Sequence, residues 1–243
     1  MIGLQARVTA RFDGHDITDG FVMSALSRPR PVRVARAVEV DGMRGSALTA
    51  SGYGPIEVEM RLAAVGDPAS RRERVDRLMA WLDVGEARPL SFSDDAGRYY
   101  MAVPSGGGAV AHTAWSDEVS LVFLVPDPAR YGAERSVALA SGSTATVRVG
   151  GNTEAALRVA ATAARASGGV WGVTCDGGDA VKVEMGSGAH SVEIDCERRT
   201  AAVDSQAAVP TLASDWIAMA PGTHQISMTG TGAATAMWTE RWL

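Results

Sequence analysis

The chain alternates. Short runs in which apolar and polar residues change places at every step recur along it, and turn residues separate the runs. The clearest case sets Ile56, Val58, Met60 and Leu62 against Glu57, Glu59 and Arg61. Successive side chains on a strand point to opposite faces, so this pattern predicts a half-buried strand. Val8, Ala10 and Phe12 lead into Asp13-Gly14, and Val32, Val34, Val38 and Val40 lead into Asp41-Gly42. Asp-Gly is a tight-hairpin pair. Val119, Leu121, Phe123 and Val125 run up to Pro126-Asp127-Pro128, where proline cannot donate to a ladder. A mainly β fold follows, with a domain break near residue 132.

One stretch has a helical period. Val75, Leu78, Met79 and Leu82 form a stripe at i, i+3, i+4 and i+7. Asp67 suits the cap, Pro68 the first helical position and Gly85 the stop, which predicts a helix over about 68–84. Arg71, Arg72, Arg74 and Arg77 interleave with Glu73 and Asp76 and read as a solvated face. Leu90 and Phe92, a turn at Asp94-Asp95-Ala96-Gly97, and Tyr99 to Val103 read as a hairpin. Ser105-Gly106-Gly107-Gly108 reads as a flexible loop.

After Tyr131-Gly132 the texture changes to short strands with no helical period, at 144–149, 155–161, 170–175, 180–185, 190–196, 199–204, 215–219, 223–228 and 234–242. Eight or nine strands at this spacing predict a two-sheet antiparallel sandwich over 133–243. Ala156 to Ala166 is alanine-rich. Leu157, Val159 and Ala161 nevertheless alternate with Arg158, so 155–161 is read as strand.

Chemistry is sparse. His15, His112, His190 and His224 lie far apart, and no Cys-x-x-Cys pair is present, so neither a metal nor a cofactor is expected. No nucleophile elbow or phosphate-binding glycine loop occurs. Asp94 and Asp95 are adjacent carboxylates, which a strand would point to opposite faces; they read as turn formers, not a catalytic pair. Cys175 and Cys196 read as two reduced core thiols. Residues 1–132 carry 15 basic and 17 acidic side chains, and residues 133–243 carry 8 and 11. Neither half has the clustered cationic face of a nucleic-acid domain. No apolar run reaches the length of a membrane span, and no signal-peptide pattern opens the chain.

The last thirty residues carry a more specific signal. They run Ser214-Asp215-Trp216-Ile217, then Pro221-Gly222, an extended stretch around Ile226, a Gly-rich turn and Trp238-Thr239-Glu240-Arg241-Trp242-Leu243. This ending resembles the distal tail proteins of long-tailed siphophages, the siphovirus tail component family. Further stretches match in order: Phe12 to Thr18, Arg44-Gly45, Gly52-Tyr53-Gly54, Leu78 to Leu82, Leu90 to Tyr100, Leu121 to Tyr131, Gly151 to Ala155, and Val192 to Asp195. Gln225, where the pattern is Asn-like, and Leu157, where it has a proline-led strand, depart from it.

The resemblance implies an α+β N-terminal domain of β-ribbons, or split barrel, over 1–132, and a galectin-like sandwich over 133–243. It implies no enzyme but a structural hub of a phage tail tip or baseplate. Six copies would close a homohexameric ring by ribbon exchange. The ring would meet the major tail tube protein on one face and the tail-associated tip protein on the other, with tape-measure or receptor-binding proteins as further contacts. The place would be the virion tail tip, assembled in the host bacterial cytoplasm. The alternative is a carbohydrate-binding module that docks on the host surface. Its candidates are Trp171, Trp238 and Trp242, with Trp216 nearby, since galectin-like folds stack a Trp on a sugar ring. Packing is the expected role of these rings, because Trp dominates cores and interfaces. A hydrolase is a third reading, for which no carboxylate pair stands out.

Overall fold

The structure, a computed structural model, describes residues 8–165 and 168–243. The chain forms two compact units, one reaching to Tyr131 and taking in Leu243, the other spanning Gly132–Trp242. The first contains β1 (Ala10–Phe12), β2 (His15–Asp16), β3 (Phe21–Ser27), β4 (Arg33–Glu39), β5 (Ser46–Tyr53), β6 (Ile56–Val65), α1 (Pro68–Leu82), β7 (Arg88–Phe92), β8 (Tyr99–His112) and β9 (Ser116–Val125). Seven of its strands pair antiparallel in the order β3-β6-β9-β8-β7-β1-β2. Along β6, Ile56, Val58, Met60, Leu62 and Ala64 face in. Together with Phe12, Leu78, Leu90 and Phe123 they make the core of this unit.

Helix α1 begins where Asp67 accepts a hydrogen bond from the Ser70 amide at 3.0 Å, with Pro68 at the first helical position. It buries Val75, Leu78 and Leu82 against the sheet, and Met79 packs at the edge of that face. Arg71 corrects the expectation of a solvated arginine face: its side chain is only 6% exposed, and Nε lies 3.9 Å from Oδ2 of the buried Asp117. Asp117 comes from β9, so no local charge pattern reports it. Ser105–Gly108 also departs from expectation. These residues form no loop but lie within β8, where Gly106 and Gly107 pair with Val122 and Leu121 across two register shifts. Long-range pairing outweighs the poor strand propensity of glycine, and the bulges absorb it.

Strand β10 (Arg130–Ala140) leads into the second unit. There follow β11 (Thr144–Val149), β12 (Ala155–Ala156), β13 (Arg158–Arg165), β14 (Gly169–Cys175), β15 (Ala180–Met185), β16 (Gly188–Asp195), β17 (Thr200–Val203), β18 (Gln206–Ala208), β19 (Ala218–Met219), β20 (Gly222–Thr229) and β21 (Thr231–Trp242). One sheet runs β11-β20-β14-β15, and the other runs β18-β17-β16-β13-β21-β10. Trp171, Val173, Val181 and Ile226 from the first share one core with Val159, Ile194, Ala236 and Trp238 from the second. The fold is the expected mainly β one, a sandwich in this unit. The alanine-rich stretch is strand rather than helix because β16 and β21 occupy both of its edges. Ala166, the end of that stretch, lies outside the described residues, as do residues 1–7.

Candidate functional site

Strands β4 and β5 form a two-stranded ribbon, registered from Arg33↔Tyr53 to Glu39↔Ser46, that does not join the seven-stranded sheet of its unit. Every residue of β4 is exposed. Val34, Val38 and Leu48 are 52, 53 and 66% exposed, and Val32 and Met43 flank them at 72 and 52%. The sequence explains the detachment. Arg28-Pro29-Arg30-Pro31 breaks the ladder before β4. Arg33 folds its guanidinium over the Tyr53 ring, 5.1 Å from its centre. A lone two-stranded ribbon is marginal in water, and its outer edges offer unpaired backbone groups. Period-two alternation gave the strands, but only the structure showed the ribbon to be partnerless among the described residues.

The foot of the ribbon meets a polar cavity of about 680 Å³ lined by Arg28, Arg30, Tyr53, Asp94, Asp95 and Tyr100. Asp94 and Asp95 stand on a 3-10 turn rather than a strand, so both reach it. Asp94 pairs closely with Arg28, whose guanidinium also lies 4.7 Å from the Phe92 ring centre. Asp95 accepts from Arg130 at 2.7 Å and from Arg98 at 3.2 Å. Asp94 and Asp95 do stand in the expected turn, which the Arg98 amide closes on the Asp95 carbonyl oxygen, but their carboxylates bond arginines where their own backbone was expected. Charge-assisted pairs of this kind hold geometry. Burial pushes the Tyr100 hydroxyl up from its ordinary value.

In the second unit Trp171 and Trp238 are 0 and 4% exposed. A sugar cannot stack on a ring with no free face, so neither can serve as a glycan platform. Trp242 is partly exposed, and a side chain at Gly132 would collide with its ring, the first added carbon falling 2.4 Å from it. Trp216 packs against the same core. Cys175 and Cys196 are buried free thiols, both pushed up to about 11 mainly by burial.

The fold brings His224 to Asp176 and Cys175, their ligand-type atoms within 4.8 Å, although 48 residues separate His224 from Asp176. Sequence spacing alone missed this cluster. His224 Nδ1 lies 2.6 Å from Asp176 Oδ2 and Nε2 lies 2.7 Å from the Ala220 carbonyl oxygen. Both nitrogens thus face acceptors, an arrangement that suits an imidazolium and leaves no lone pair for a metal. Burial lowers the His224 pKa, yet these two hydrogen bonds outweigh it and the net shift is upward. His190 is also raised, chiefly by its hydrogen bond to Asp204 at 2.7 Å.

Comparison with known proteins bears on role. Residues 13–125 match the phage tail protein RIFT-related domain, and residues 150–242 match the C-terminal domain of the siphovirus-type tail component. The chain belongs to the siphovirus-type tail component family. The distal tail protein of Bacillus phage SPP1 is 26% identical over 246 residues, covering 97% of this chain and 96% of that protein. The crystal structure of SPP1 Dit, described as a paradigm of hub adsorption apparatus in Gram-positive infecting phages, superposes with a TM-score of 0.77. It is 21% identical over 97% of this family member and 99% of that chain. A chain of the phage p2 baseplate, in its activated conformation with strontium, gives 0.54 at 10% identity, covering 96 and 97% of the two chains. The two matched domains each fall inside one compact unit.

Proposed function

We propose that this tail component is the structural hub of a tail tip. Six copies close a ring through the first unit, with the tail tube protein on one face and the tail-associated tip protein on the other. The observation that carries the reading is the β4–β5 ribbon. It spans 33–53, exposes Val34, Val38 and Leu48, and has no sheet of its own to join. A neighbouring copy supplies the missing surface and covers the open edges, and cyclic closure leaves no ribbon unpaired. The hub role ascribed to SPP1 Dit and the likeness to the p2 baseplate chain support this reading. The carbohydrate-binding alternative loses its two best-placed rings, since Trp171 and Trp238 are buried.

The test is a solution mass measurement with negative-stain imaging of the purified chain, beside a variant in which a short Gly-Ser turn replaces 33–53. Six-fold rings of about 152 kDa, the mass of six 25.3 kDa chains, are expected for the wild type. The variant should be monomeric with an unchanged sandwich core. Rings that survive loss of the ribbon would sink this reading.

A further inference from the structure

The hairpin of β8 and β9 ends in Thr113-Ala114-Trp115-Ser116, and Trp115 is 85% exposed. Isolated exposed apolar residues are ordinary, but an indole held out on a fixed turn is not. This turn is fixed. Thr113 N donates to Ser116 O at 2.8 Å, and Thr113 Oγ1 accepts from the Trp115 and Ser116 amides at 3.2 and 2.9 Å. Below it, His112 Nδ1 lies 3.0 Å from Oδ1 of the buried Asp117, which Arg71 approaches from the helix. Val65, paired with Ser116, adds a second exposed apolar group at 47%. Tryptophan is the residue most enriched at the centres of protein interfaces, and a preorganised turn removes part of the ordering cost of binding.

The same unit carries a hole. Between α1 and the glycine run of β8 lies an apolar cavity of about 190 Å³, lined by Met79, Leu82, Pro104, Leu121, Val122 and Phe123, with Gly106 and Gly108 on its wall. Gly106 and Gly108 contribute no side chains, and that absence opens the seam between helix and sheet. An apolar cavity of about 150 Å³ holds a benzene ring, so this one suits an indole. Trp115 cannot fill its own hole: Leu121 lies five positions along β9 from Ser116, roughly 17 Å of strand.

A projection and a complementary hole at different places on one chain are the parts of a heterologous, head-to-tail contact, the kind that generates rings. We infer that Trp115 of one copy inserts into the Met79, Leu82, Phe123 cavity of the next. The occupant is therefore a second copy of this chain. The inference rests on the ring reading above and adds the contact that sets its direction.

The deciding experiment mixes full-length Ala114→Cys and Asp83→Cys chains, which keep Trp115 and leave the cavity open, under mild oxidation with oxidised glutathione. Both sites tolerate the change, since Ala114 and Asp83 are exposed, beside Trp115 and Leu82 respectively. The native thiols are buried. A disulfide needs Cα atoms within about 7 Å, so it reports the docked pair. A mixed cross-link well above that of either variant alone supports the inference. Trp115→Ala should then raise the concentration at which rings dissociate by at least about tenfold, with an unchanged melting temperature. Wild-type rings without the mixed cross-link overturn the contact and leave the ring standing. No rings and no cross-link remove both.

Discussion

At the scale of single residues, the buried indoles are the informative groups. Trp171 and Trp238 lie in the sandwich core, and neither indole N–H has a hydrogen-bond acceptor among the described residues. A buried donor left unsatisfied costs about 1–3 kcal/mol. The rings are therefore kept for volume and not for their polar edge. Trp171→Phe removes the orphan donor together with some packing, and the two effects partly cancel. It should destabilise by less than about 1.5 kcal/mol, against about 3–5 for Trp171→Ala. Urea unfolding of both variants checks this; near-equal losses would mean that the N–H has a partner. The sequence marked these rings as packing or glycan residues, and alternation alone could not decide. Trp238 shares its parity along β21 with Glu240 and Trp242, but burial fades toward the end of that strand.

Elements are tied together by contacts with no local signature. Asp176 sits in the turn between β14 and β15 and grips β20 twice, accepting from the Gln225 amide at 2.7 Å and from His224 at 2.6 Å. His224 is raised above its ordinary 6.5, so its contribution is full below that value and fades as pH rises through the folded value. Asp176 is lowered below 3.8, first by the Gln225 amide and then by His224, so its contribution is present above 3.8 and fades as pH falls through the folded value. The clamp is complete between these limits. The melting temperature should be higher at about pH 5.5 than at about pH 8.5, by a few degrees at most because Asp176 is half exposed. Asp176→Asn should shrink that difference without abolishing it, since the His190–Asp204 pair has the same sign. A variant with the full wild-type difference would refute the clamp. The hairpin at Asp176-Gly177 was legible from its turn residues, as was α1 from Asp67-Pro68 and its stripe. The clamp was not, because its partners meet only after the sheet has formed. Arg71 with Asp117 and the glycine run in β8 escaped notice for the same reason.

For the whole molecule, the two units differ in how completely each satisfies its own strands. In Gly132–Trp242, both sheets face a single core that runs from Leu139 to Trp238. The first unit has an equally dense core, yet it also carries the unjoined ribbon, the exposed Trp115 and the cavity beside Met79. On the proposed ring, this asymmetry assigns the contacts between copies to the first unit, although Val209 and Leu212 leave large apolar groups exposed in the second as well. Expressed alone, residues 132–242 should fold as a monomer and unfold in one cooperative transition, with the near-ultraviolet dichroism expected of buried Trp171 and Trp238. The fragment must begin no later than Gly132, because the Trp242 ring packs over that glycine where no side chain fits. Starting several residues later removes part of β10, and with it the edge partner of β21, and should broaden the transition. A fragment that keeps strand dichroism but binds hydrophobic dye and melts without cooperativity would show that the sandwich borrows stability from the first unit. The division of labour between the units would then fail.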